Sequence, residues 1–141
     1  MFTLIDKLVT KEGFALQAWD DRYSKGVWAA LAPSENALDI VRDLSSAGDL
    51  DMIPATDFIL DTKWFPAVTG RTLIDAMTEL EQRLALLPPE QLAHTSDWAG
   101  SVYGALDYLC RANHQCKGYG AMDGKLQPLP KEYNGEMPSN F

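Results

Sequence analysis

The sequence predicts an α+β fold built as one small domain, on three observations. Two apolar runs flank a polar, glycine-ended loop and read as a β-hairpin. Apolar residues recur at three- and four-residue spacing in several other segments, the mark of amphipathic helices. A chain of 141 residues matches one ordinary domain and leaves no room for two. Apolar residues make up 46% and charged residues 23%, so the chain can bury a core without disulfides or metals.

The elements follow in order. In the segment from Thr3 to Val9, Leu4, Ile5, Leu8 and Val9 share one helical face, and Gly13 beyond it suits a left-handed stop. Phe14 to Trp19 and Val27 to Leu31 are the hairpin strands, joined by a loop from Asp20 to Gly26. Ser34 is a good N-cap for a second helix, with Glu35 in its first turn and Ala37, Leu38, Val41 and Leu44 on its apolar stripe; Gly48 ends it. Phe58-Ile59-Leu60 reads as a third strand, and Lys63 to Gly70 as an irregular loop.

Thr72 with Asp75 three residues on forms a capping-box arrangement ahead of Leu73, Met77, Leu80 and Leu84, and Pro88-Pro89 closes this helix. Ser96 caps the last helix, which runs to about Asn113 with Trp98, Val102, Ala105, Leu106 and Leu109 on one face. Its small residues, Ala99, Gly100, Ser101, Gly104 and Ala105, predict a close approach of another backbone. The compact domain is expected over residues 1–116. Residues 117–141, punctuated by glycine and proline, are expected to be an irregular tail packed on it. The expected architecture is a small antiparallel sheet of the hairpin plus one further strand, packed with about three principal helices.

Net charge is −8. An acidic surface repels nucleic-acid phosphates and anionic membranes, so neither is an expected partner. No apolar run reaches the roughly 20 residues of a membrane helix, and the N-terminal segment lacks the basic and long apolar regions of a signal peptide. The only cysteines, Cys110 and Cys116, do not make a secreted disulfide framework. The expectation is a soluble cytoplasmic protein.

Seven carboxylates against one arginine lie between Glu35 and Asp61. Glu35, Asp39 and Asp43 fall at i, i+4 and i+8, stacked along one face of the second helix, and Asp49 and Asp51 follow it. Like charges at this spacing cost roughly 0.2–0.5 kcal/mol per pair. These five residues are the candidate binding surface, suited to a basic surface on another protein. The ordinary alternative is a solvated helix face followed by a polar loop. Asp43, Asp49 and Asp51 do not follow the ligand pattern of an EF-hand calcium loop.

No catalytic residue or cofactor is assigned. His94, Cys110, His114 and Cys116 supply four zinc-ligating side chains, but their spacing matches no recognised zinc site. His94 and Cys110 bracket a helix about 20 Å long, so no metal is expected. His94-Thr95-Ser96 matches one copy of a motif that two-histidine phosphoesterases use in pairs, and the second copy is absent. A nucleophile elbow and a phosphate loop are also absent. A small hydrolase-like enzyme with a site near His94 or His114 is the second reading. A structural subunit of a larger assembly is the third. Trp19, Tyr23, Trp28, Trp64 and Phe65 are expected to complete the core in so small a domain, rather than to form binding anchors.

Overall fold

A computed structural model describes residues 2–20, 26–46 and 53–112. The expected tail, 117–141, lies outside the described residues. The elements are α1 (Thr3–Thr10), β1 (Ala15–Asp20), β2 (Val27–Ala32), α2 (Glu35–Ser46), α3 (Ile53–Asp61), β3 (Ala67–Gly70), α4 (Leu73–Ala85) and α5 (Asp97–Ala112), with a short 3₁₀ turn at Pro89–Gln91. The strands form one antiparallel sheet in the order β1-β2-β3. The fold is α+β, as the sequence implies.

Two elements correct the sequence reading. Phe58, Ile59 and Leu60 belong to α3, not to a strand, and the third strand is Ala67–Gly70. A short apolar run does not by itself distinguish a strand from a buried helix. Pro54 sits in the first turn of α3, where its missing N–H has no helical partner to lose. The Thr56 hydroxyl donates to the Leu44 carbonyl at 3.3 Å and ties this turn to α2. The third strand pairs with β2 through Val27↔Gly70 to Ala30↔Ala67. Central β2 is buried from Trp28 to Ala32, so both its faces are covered, and α2 and α4 both pack against it.

The caps read from the sequence are present. Ser34 Oγ accepts from Ala37 N–H at 3.2 Å, Thr72 Oγ1 from Asp75 N–H at 3.1 Å, and Ser96 Oγ from Ala99 N–H at 3.1 Å. Each satisfies a donor that the first helical turn leaves unpaired. The first helix has no such cap, because Phe2 precedes it. Glu81 of α4 supplies one from a distance: its two carboxylate oxygens accept from Leu4 N–H at 3.0 Å and Ile5 N–H at 3.1 Å. A carboxylate here also meets the positive end of the helix dipole.

Arg83, two residues on, does the opposite job at the other end of a different helix. Its Nη1 donates to the carbonyls of Ile59, Thr62, Phe65 and Ala67 at 2.8–3.2 Å, and its Nη2 donates to that of Leu60. The guanidinium thus gathers the C-terminal carbonyls of α3 and those leading into β3. Burial pulls the Arg83 pKa below the usual arginine value, while Glu79 and Asp61 oppose that shift. Arginine remains charged at neutral pH regardless.

The core gathers the aromatics. Trp28, Trp98, Phe65, Phe14, Trp64 and Trp19 are all buried. Phe14 stacks on Trp98 with ring centroids 5.5 Å apart, and the Trp98 indole N–H donates to the Trp64 carbonyl at 2.8 Å. Trp19 and Trp28 face each other across the hairpin and stack at 6.1 Å. The expectation that these rings complete the core therefore holds for Trp19, Trp28, Trp64 and Phe65, and Tyr23 lies outside the described residues. The small-residue stripe of α5 is partly explained: Ala99, Ser101 and Ala105 are buried. Among the described residues nothing lies within 4 Å of a Cβ built at Gly100, so no backbone approach among them explains that glycine.

Gly70 is a different case. A Cβ there would lie 2.4 Å from Ala76 N and 2.7 Å from the Asp75 carbonyl carbon, both backbone atoms of α4. The absence of a side chain lets the first turn of α4 seat on the end of β3. Gly70→Ala should lower the unfolding free energy by about 1–3 kcal/mol, the usual cost of overpacking, measured by urea denaturation. Gly100→Ala should be neutral or slightly stabilising in the same experiment.

Candidate functional site

The acidic ridge rests on α2 because the apolar residues of that helix point the other way. Ala37, Leu38, Ile40, Val41 and Leu44 are buried. Glu35, Asp39 and Asp43 are exposed, about 6 Å apart along the helix axis per step. Among the described residues none of the three carboxylates is ion-paired. Arg42, the one arginine between Glu35 and Asp61, makes a different contact: its guanidinium carbon lies 5.8 Å from the Trp19 ring centroid, a cation–π contact. That contact links α2 to the edge strand β1. Asp57 and Asp61 on α3 are also exposed. Asp49 and Asp51 lie outside the described residues, so the site as described holds three of the five candidate residues.

The region around His94 is organised by a pair with a carboxylate. Among the described residues no group of three His, Cys, Asp or Glu side chains gathers as a metal ion would need. Cys110 is on α5, and His114 and Cys116 lie outside the described residues. His94 is exposed and pairs with Glu12, which follows α1. Glu12 Oε1 accepts from the His94 backbone N–H at 3.0 Å and from its Nδ1 at 2.9 Å. The imidazole is thus held with its proton on Nδ1. This pair fastens the segment before α5 to the end of α1, a link that sequence spacing could not reveal across 82 residues. The Trp19 indole N–H is buried and meets no acceptor among the described residues.

No protein-family model matches the chain, and no curated protein or solved structure is significantly similar to it. None of the described helices is long and apolar enough to cross a membrane.

The Glu12–His94 link has a pH consequence. The His94 backbone N–H, then its side chain, holds the Glu12 carboxyl below its ordinary value of 4.5. A depressed folded-state pKa means the contribution is complete above the unfolded value and is lost as pH falls through the lower, folded one. Urea unfolding of the wild type between pH 7 and pH ~3 should therefore show a larger acid-side loss of stability than that of Glu12→Gln. Matching pH profiles for the two proteins would remove this link from the account.

Proposed function

We propose that this chain is a non-enzymatic, protein-binding module of the cytoplasm that occupies a basic surface on a larger protein, as inhibitors, immunity proteins and anti-defence proteins do. One observation carries the reading: three exposed carboxylates line one side of α2 with no ion pair among the described residues, while Arg42 contacts the Trp19 ring. A helix that tolerates like charges at i, i+4 spacing gives up a little of its own stability. A row of carboxylates in water presents a negative potential that speeds encounter with a positive surface and selects against acidic ones. Asp49 and Asp51, next along the chain, extend the same charge in sequence.

The test is capture of partners from the lysate of the native host, with wild type beside an Asp39→Lys/Asp43→Lys double mutant. One abundant partner should be retained by the wild type and lost by the mutant. With that partner purified, the double mutant should bind at least about tenfold more weakly at 50 mM salt, and the gap should narrow at ~0.5 M salt as exposed charges are screened. Equal affinity of the two proteins at low salt would rule out the ridge as the binding surface.

A further inference from the structure

Among the described residues the sheet has an open edge at β1. Order β1-β2-β3 leaves β1 with one neighbour, and the direction of its free backbone groups follows from the hydrogen bonds around it. Leu31 N–H donates to the Pro66 carbonyl at 2.9 Å, so Leu31 and its alternates Ala29 and Val27 bond toward β3. Trp28, Ala30 and Ala32 then bond toward β1, to Trp19, Gln17 and Ala15. The backbone groups of Leu16, Ala18 and Asp20 therefore point away from the sheet. Phe14, in the same alternation, confirms the direction: its N–H turns away from β2 and donates to the Leu8 carbonyl of α1 at 2.9 Å. Beyond Phe14 the edge has no partner among the described residues.

Natural sheets blunt such edges with proline, lysine, bulges or a covering element. The strand Ala15–Asp20 has no proline or lysine, and its pairing with β2 runs through six consecutive residues without a bulge. Leu16 is 38% exposed, and Ala18 beside it on the same face is exposed too. On the other face α2 borders the strand through Arg42 and Trp19. Glu35 lies seven residues before Arg42, within ~20° of the same azimuth, and Asp39 lies within ~60°. Two carboxylates of the ridge thus share the flank of α2 that reaches β1 through Arg42.

We infer that β1 accepts an extended, basic segment of the partner protein as a fourth strand. This rests on the proposed function and names how the partner binds. The backbone of the incoming strand pairs with Leu16, Ala18 and Asp20. One set of its alternate side chains is apolar and covers Leu16 and Ala18. The other set carries Lys or Arg beneath Glu35 and Asp39. Main-chain pairing supplies affinity and the alternate side chains supply selectivity.

The test uses Ala18→Pro and two synthetic peptides of equal length, one alternating Lys and Val and the other Glu and Val. Proline at position 18 removes an outward N–H and leaves the bonds to β2 intact, so the variant should fold. In low-salt buffer the Lys/Val peptide should bind the wild type with Kd below about 1 mM. The Glu/Val peptide and the Ala18→Pro protein should each weaken binding at least tenfold. In amide exchange on the wild type, Leu16, Ala18 and Asp20 should exchange quickly alone and slow down with the Lys/Val peptide. This second readout holds even if the variant misfolds.

Absence of binding by the Lys/Val peptide, or binding equal to that of the Glu/Val peptide, overturns the inference. So does protection of those three amides in the free protein, which would mean that the chain covers its own edge. Self-association abolished by Ala18→Pro would make a second copy the occupant and overturn it as well. If the purified partner is lost on charge reversal yet kept by Ala18→Pro, the ridge stands and the edge falls. If neither change affects that partner, both readings fall.

Discussion

One arginine side chain closes the middle of this molecule. The segment from Ile59 to Ala67 leaves a helix, turns and enters a strand, so its carbonyls lack the regular partners of either element. Five of them converge on the Arg83 guanidinium. Hydrogen bonds from a charged donor are worth about 1.5–3 kcal/mol, and a cation at a helix C-terminus adds dipole stabilisation. The arrangement tells α3 where to end and where β3 begins, and so completes the sheet on one side of β2. Glu81 performs the converse task for α1. The two residues flank the stripe of Ala76, Leu80 and Leu84 that seats α4 in the core. Relative to Leu80, Glu81 lies ~100° to one side and Arg83 ~60° to the other. One helix thereby caps two others, each with the charge that its dipole favours.

The exposed features follow from this frame. With β2 buried on both faces and β3 packed against α4, β1 is an edge strand with no second strand neighbour among the described residues. The second helix borders that strand through the Arg42–Trp19 contact, and none of its exposed carboxylates is ion-paired among the described residues. The acidic ridge and the open strand edge are therefore neighbours for structural reasons. A binding surface made from them joins diffuse charge, which favours encounter, to directional backbone bonds, which favour one register.

Much of the fold is legible in the sequence because its signals are local. Ser34, Thr72 and Ser96 announce helix starts through bonds spanning three residues, and all three bonds form. The hairpin is legible from its two apolar runs. What is not legible depends on contacts between distant residues. Phe58-Ile59-Leu60 suits a strand by composition, and Arg83, more than 20 residues away, holds its carbonyls at the end of a helix instead. The four residues Ala67–Gly70 carry no alternation of their own and become a strand by pairing with β2. The ridge was readable as charge at helical spacing. The open edge was not, because edge position is a property of strand order, and strand order is not written in any one strand.

Arg83 organises the passage from α3 to β3. The most direct test is the urea unfolding free energy of Arg83→Met, which keeps the length of the stem and removes every donor. The account predicts a loss of about 3–5 kcal/mol, a large share of the 5–15 kcal/mol typical of a domain, with Arg83→Lys recovering part of it. A change within ~0.5 kcal/mol, the range of ordinary surface substitutions, would contradict it.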